Sequence, residues 1–398
     1  MPMPYAQGRI YNDADAHVME TADWILEYAE AKTRALLKPL DLSKACNMVD
    51  HLPAGTADPH RWDKVDLKKN LMSLKGWEAL GAYDSVERSR ALDLLGFNHQ
   101  LIFTTLAMSQ FWGLYEQRDH APDLLYGGAG ALNRAIGDFC KGDRRMIAVG
   151  FLPLDDPERA QREIEDGLKL GCGTFWIPAV PPARRSPSHP AFDRIWSALQ
   201  EANMPFMLHV GAGQIPGAGR RPMPDEYRNN GRAEKTGWLG GGEDLDSKDF
   251  TILHTAAEAF LTAMVLDGTF ERFPRLRCGV IELGALWVIP WLKRLDIAQQ
   301  VFARSEPHLA LPMKASDYVR RQIKFTPHST EPVGWLIEQG GEELFLFSSD
   351  YPHIEGGRNP LKRFELSMTG ISEAAKAHFY ATNFAEMMGI QEQIRSSP

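Results

Sequence analysis

Short apolar runs alternate along this chain with longer stretches whose apolar positions recur every three to four residues. Side chains repeat with period two in a strand and 3.6 in a helix, so the alternation reads as successive βα units around a parallel sheet. Strand-like segments fall at 10–17, 100–104, 146–152, 174–179, 205–211, 277–284, 322–328 and 344–350, with amphipathic stretches at 157–170 and 254–273 between some of them. Eight strands predict an α/β fold, a distorted (β/α)8 barrel of TIM-like type. Two stretches exceed a minimal barrel. One, about 38–81 after the first strand, carries Pro, His and charge clusters with Trp62 and Trp77; the other, about 211–250 after the fifth, is rich in Gly and Pro. Both are expected to be inserted cap or lid segments on one domain spanning 1–398, because long irregular stretches in a compact domain tend to carry function.

The barrel reading gives the polar residues a common address, since active sites of such barrels lie at the C-terminal ends of the strands. Period two puts Asp13, Asp15 and His17 on one face of the first strand. His209, Glu282 and Asp350 fall at or near the ends of later strands. Asp15, His17, His209 and Asp350 supply two nitrogen and two oxygen donors, a set that binds a divalent ion and leaves a coordination position open. Zinc is the first expectation, and manganese or iron(II) suit the same donors. Glu282 is the expected acid or base, with a salt bridge to Arg294 as its alternative; Asp350 also counts among the catalytic groups. His254, which opens a helical stretch, is expected to donate a proton at the barrel mouth or only to cap that helix. His353 and His328 are expected to orient substrate or a metal ligand. Arg220 and Arg221, which follow a glycine-rich run, are expected to hold an acidic substrate. Phe111, Trp112, Trp176 and Trp287 are candidates for an apolar pocket or for plain core.

Composition narrows the partners. The net charge is −8 over 398 residues and no basic stripe is interleaved with aromatics, which argues against nucleic acid. Cys46, Cys140, Cys172 and Cys278 form no CxxC pair, so neither a disulfide framework nor a thiolate zinc site is expected. The first residues lack a charged and then apolar leader, and no uninterrupted apolar run reads as a membrane span. A cytoplasmic protein acting on a small molecule, with no membrane partner, is the expectation.

Several motifs together resemble one family. They are Asp15-x-His17, Leu208-His209, the run Phe270-Glu271-Arg272-Phe273-Pro274-Arg275-Leu276-Arg277 leading into Val280-Ile281-Glu282, and Ser348-Ser349-Asp350-Tyr351-Pro352-His353. The chain is similar over nearly its whole length to the amidohydrolase-related group of the amidohydrolase superfamily, which includes aminocarboxymuconate semialdehyde decarboxylase and the γ-resorcylate-type decarboxylases. The resemblance implies one divalent metal held by Asp15, His17, His209 and Asp350. It also implies a homodimer, a common state among soluble oligomers. Two departures stand out. Asp15 occupies a position that is histidine in many superfamily members, and Glu282 stands where the muconate decarboxylase relatives place His-Gly-Gly. The expected function is metal-dependent hydrolysis of a small aromatic or carboxylate-bearing compound. The alternatives are non-oxidative decarboxylation of an aromatic or unsaturated acid and, third, a binding module without chemistry.

Overall fold

The computed structural model describes residues 4–42, 71–116, 122–211, 222–232 and 245–390. Among the described residues, seven strands follow the chain in spatial order, each parallel to the next: β1 (Asn12–Val18), β2 (His99–Thr104), β3 (Met146–Phe151), β4 (Cys172–Trp176), β5 (Phe206–His209), β6 (Cys278–Ile281) and β7 (Ile323–Phe325). Helices connect them, among them Ser85–Leu95, Pro122–Cys140, Pro157–Lys169, Asp193–Glu201 and Thr255–Leu266. All seven expected positions match to within a few residues.

The eighth expected strand is present in part. Segment 344–351 bridges both edges of the sheet: Phe325 N and Leu346 N bond to Leu344 O and Phe325 O on one side, Ala14 N and His17 N to Phe347 O and Tyr351 O on the other. These bonds curl the sheet closed, yet only isolated bridges at Ala16–Tyr351 and Phe325–Phe345 have ladder geometry. The cause lies partly in a side chain: Ser349 N donates to the Asp13 carboxylate, 2.7 Å away, instead of to a backbone carbonyl.

Local signals explain the helix ends. Asp156 caps Pro157–Lys169 by accepting from Glu158 N and Arg159 N, with proline at the first helical position. The 254–273 stretch breaks at Gly268, whose φ of +71° closes Thr255–Leu266 and opens the short helix Thr269–Arg272. The stretch Ser247–Leu266 meets the length and hydropathy of a membrane span, contrary to the expectation of none. It is interrupted around Leu253–His254, and Ala257, Phe260, Leu261, Met264 and Val265 are buried, so its composition serves packing.

The core is continuous through the sheet. Phe151 stacks on Trp176 with ring centroids 4.1 Å apart, and Phe103 lies 4.5 Å from the His209 ring. Phe111, Trp176 and Trp287 are buried here. Cys140, Cys172 and Cys278 are free and buried.

Candidate metal centre and pocket

Adjacent strand ends bring the polar residues together. The registers of β1 with β2 and of β5 with β6 set His17 beside Phe103 and His209 beside Ile281, so His17, His209 and the following Glu282 converge at one end of the sheet. Ligand atoms of Asp15, His17, His209 and Glu282 lie within 4.8 Å of one another, as do those of His17, Glu282, Asp350 and His353. His17 Nε2 is 3.1 Å from Asp15 Oδ1 and 3.6 Å from Asp350 Oδ1. His209 Nε2 is 3.4 Å from Asp15 Oδ1 and 3.6 Å from Glu282 Oε2.

The second nitrogen of each imidazole is anchored. His17 Nδ1 lies 3.1 Å from Thr104 O and His209 Nδ1 2.8 Å from Val210 O, so both rings donate from Nδ1 and aim the Nε2 lone pair at the centre. Burial, with the charge of His353, lowers the pKa of His17 to about 4, the neutral ligand form. Burial would raise that of Asp15, but contacts from His17 and His209 hold it well below the usual range. His17 Nε2 and both Asp350 carboxylate oxygens are buried without a hydrogen-bond partner of good geometry among the described residues. Buried polar atoms so arranged are costly unless something completes them. Two nitrogen donors and at least two carboxylates around one point fit a divalent ion.

Backbone geometry is also specialised here. Glu282 and Asp350 have φ of +57° and +50°, in the left-handed region that non-glycine residues avoid. Such conformations cost about 1–3 kcal/mol each and persist where surroundings enforce them. Glu282 N donates to Thr326 Oγ1 (2.8 Å), and Asp350 N to Asp15 O (2.9 Å). Gly284, with φ +66°, turns the chain directly afterwards; a Cβ there would sit 2.9 Å from the His328 ring.

Behind the centre lies a buried network. Asp13 points into it, accepting from Ser349 Oγ (2.6 Å) and Gln100 Nε2 (2.7 Å), and burial raises its pKa to about 7 against those bonds. Arg88 donates to Gln100 Oε1, His17 O, Gly81 O and Tyr351 O. Glu20 accepts from Thr105 N, Leu106 N and Ala107 N, tying the end of β1 to the loop after β2.

A cavity of about 290 Å³ opens onto the centre. Asp15, Glu282 and Asp350 line it with His328 and Glu355, and Leu245, Phe250, Leu253, Pro327 and Pro360 supply an apolar wall. Leu245 and Phe250 belong to the second expected insertion, so its C-terminal part borders the cavity. None of Phe111, Trp112, Trp176 and Trp287 lines it, so the expected aromatic wall is supplied by Phe250 instead.

Other expected site residues lie elsewhere. His353 is buried behind the cavity, stacked on His17 at 3.8 Å, with Nδ1 3.0 Å from Asp350 Oδ1 and Nε2 2.9 Å from Thr105 Oγ1. His254 occupies the N-cap position but makes no side-chain cap; it stacks on Trp287 at 5.1 Å and pairs with Glu258 at 3.3 Å, away from the cavity lining. Arg294 also pairs with Glu258, so the alternative of a Glu282–Arg294 bridge is not what forms. Arg220, Arg221 and Cys46 fall outside the described residues. Sequence reasoning missed Arg88, Gln100 and Thr326; only Asp13, in phase with Asp15 and His17, carried a signal.

Comparison with known proteins accords with this geometry. A γ-resorcylate decarboxylase from Polaromonas sp. (strain JS666 / ATCC BAA-500) is 27% identical over 247 residues, 59% of this chain and 67% of that protein. An amidohydrolase from Mycobacterium avium subsp. paratuberculosis K-10 superposes with a TM-score of 0.70 at 20% identity, covering 97% of this chain and 99% of that one. A 5-carboxyvanillate decarboxylase from Novosphingobium aromaticivorans DSM 12444, solved with manganese and 4-hydroxy-3-methoxy-5-nitrobenzoic acid, superposes with a TM-score of 0.64 at 20% identity, covering 98% of each chain. The expected TIM-like barrel is the fold these neighbours share with the curled parallel sheet seen here. The family model described as Amidohydrolase matches residues 116–390, and the chain belongs to that family of enzymes.

Proposed function

We propose that this protein is a metal-dependent, non-oxidative decarboxylase acting on an aromatic or unsaturated carboxylic acid. The observation that carries the reading is the convergence of Asp15, His17, His209, Glu282 and Asp350 at the mouth of a half-apolar cavity. The similarity to a γ-resorcylate decarboxylase favours loss of carbon dioxide over the hydrolysis first expected.

Asp15, His17, His209 and Asp350 would hold the metal, and the bound dication would supply positive charge to an oxygen of the substrate. Manganese suits this mixed set as well as zinc, because two hard carboxylate donors balance the two imidazoles. Phe250, Leu253 and Pro327 take the ring or alkene, and His328 faces its polar substituents. As the carbon–carboxylate bond breaks and carbon dioxide leaves, the Glu282 carboxyl delivers a proton to the vacated carbon. Glu282 suits this role better than His254 because it lines the cavity. His353 orients Asp350 from behind. Leu245 and Phe250 contribute wall that limits water around the reacting carbon.

The test is incubation of manganese-loaded protein with γ-resorcylate, 5-carboxyvanillate and related hydroxybenzoates beside matched esters and amides. Carbon dioxide and the decarboxylated phenol are expected from at least one acid. Ester or amide cleavage without carbon dioxide would restore the hydrolase reading and remove this one.

A further inference from the structure

Glu282 and His328 reach the cavity on the loops that follow β6 and β7, and one buried carboxylate behind the cavity wall ties those loops together. The last backbone bond between the two strands runs from Thr326 N to Val280 O at 2.9 Å. Beyond it, among the described residues, the hydrogen bonds between the two loops are made by side chains. Thr326 Oγ1 accepts from Glu282 N, and Glu331, only 8% exposed, holds the rest of the turn. Ala285 N donates to both Glu331 carboxylate oxygens, at 3.1 and 3.0 Å, and Leu286 N to Oε1 at 2.9 Å. From the other loop, His328 N donates to Oε2 at 2.7 Å.

Part of this arrangement is ordinary capping. Ala285 and Leu286 lie just before the helix Val288–Phe302, whose N-cap residue Trp287 makes no side-chain cap, so the carboxylate meets otherwise unpaired N–H groups at the positive end of the helix. A cap has no need of His328 N. That fourth bond makes Glu331 a brace across two loops, and its surroundings are tight: a Cβ on Gly284 would lie 2.9 Å from the His328 ring and 3.2 Å from Glu331 Oε1. Glu282 and Gly284 are both left-handed, with φ of +57° and +66°. A turn so strained keeps its shape only while its surroundings enforce it.

We propose that Glu331 is a positioning residue whose carboxylate fixes the spacing of Glu282 and His328 across the cavity. A proton reaches the vacated carbon only if the Glu282 carboxyl stands within hydrogen-bond reach of it while the substrate rests against the opposite wall. His328 belongs to that wall with Phe250, the two ring centroids being 5.2 Å apart. Displacing a reacting group by about 1 Å costs on the order of 10²-fold in rate. None of the four bonds to Glu331 comes from Asp15, His17, His209 or Asp350, so its effect falls on placement and leaves the metal ligands alone. This deepens the decarboxylase reading and rests on it for the reaction.

The experiment compares wild type, Glu331→Gln and Glu331→Asp as manganese-loaded proteins, by crystal structure and by carbon dioxide release from γ-resorcylate and 5-carboxyvanillate. Glutamine has one acceptor oxygen and turns an NH2 group toward an N–H donor; aspartate keeps the charge near the helix but is one methylene short of spanning both loops. In both variants the Glu282 carboxylate is expected to shift relative to the His328 ring by more than about 0.5 Å, the tolerance of a productive site, with kcat about 10- to 100-fold lower. Manganese affinity and KM are expected to stay within about threefold of wild type. A cap with no positioning role lowers the melting point only. Unmoved side chains or wild-type kcat in folded Glu331→Gln, or in Glu331→Asp should the former fail to fold, therefore overturn the assignment. Wild type that releases no carbon dioxide from either acid removes the decarboxylase reading and leaves Glu331 to be judged by the crystal structures, where displacement upholds the brace and unmoved side chains refute it.

Discussion

Replacing Arg88 with methionine tests whether the network behind the centre holds both the fold and the metal ligands. Arg88 is fully buried on the helix Ser85–Leu95. Its Nε donates to Gln100 Oε1 at 3.0 Å, and one terminal nitrogen donates to His17 O at 3.0 Å and Gly81 O at 3.1 Å. The guanidinium carbon lies 5.0 Å from the Tyr351 ring centroid. Gly81 fits the arrangement because a Cβ there would meet the Arg88 backbone at 2.2 Å. Methionine keeps the stem's volume but leaves four acceptors, Tyr351 O among them, without their charged donor. Breaking a buried charged network costs about 3–5 kcal/mol. For 398 residues an unfolding entropy of about 2 cal/mol/K per residue converts this to a loss of roughly 4–6 °C in melting temperature. The carbonyls released belong to His17 itself and to Tyr351, the neighbour of Asp350. Manganese affinity of the folded protein should therefore fall about 10- to 100-fold, as it does when support behind a ligand is lost. Differential scanning calorimetry and metal titration read the two effects separately. A melting point within about 1 °C of wild type, or unaltered manganese affinity in folded Arg88→Met, would refute this chain of reasoning.

Three further outcomes follow from the same geometry. His209→Ala and Asp350→Ala should each lower turnover by more than about 10³-fold, the loss of several kcal/mol of charge stabilisation, while far-ultraviolet circular dichroism stays native; full turnover in either variant would contradict the proposed ligand roles. Manganese at about a hundred times its dissociation constant should stabilise the chelator-treated protein by about 2.7 kcal/mol, seen as a melting point that rises with metal concentration; no such rise would deny the centre. The cluster of Asp143 with Arg145 and Ser89 gives a pH signature: burial opposes it, but hydrogen bonds from Arg145 and Ser89 lower the Asp143 pKa to about 2. A depressed carboxylate stabilises the fold above its unfolded pKa of about 4, and that stability disappears as pH falls through about 2. Asp143→Asn should thus cost roughly 1 kcal/mol at pH 7, discounted for its exposure, and the gap to wild type should close below pH 3 in urea titrations.

Legibility in the sequence followed the range of the interaction responsible. Strands β1 to β7 were readable because local apolar runs mark them, and Asp15 and His17 because period two places them on one face. His209 and Asp350 could be assigned to strand ends on the same grounds. The eighth strand blurred because a side chain, Asp13, takes the bond from Ser349 N that a ladder would use. Arg88 carried no sequence signal: an arginine in a polar helix looks solvated, and its partners lie 71 residues away at His17 and 263 away at Tyr351. His353 was expected to orient either substrate or a metal ligand, because three residues' separation from Asp350 does not say whether the loop turns outward or folds back. Here the turn folds back, since His353 N bonds to Asp350 O at 2.8 Å.

Glu282 shows where chemistry and conformation meet. At β6 the register with β5 brings Ile281 beside His209, and one more extended residue would turn the Glu282 carboxylate along the regular strand alternation. A φ of +57° breaks that alternation and leaves the carboxylate 3.6 Å from His209 Nε2, where it also borders the cavity. The strain is local, and the bond from Glu282 N to Thr326 Oγ1 on the strand side of the next loop is what opposes its release. Thr326→Val should therefore relax Glu282 toward ordinary backbone geometry. It would remove the proton donor of the proposed reaction without touching Asp15, His17 or His209, so turnover should fall while manganese binding persists; retention of full turnover would show that the left-handed conformation at Glu282 is not what places its carboxylate.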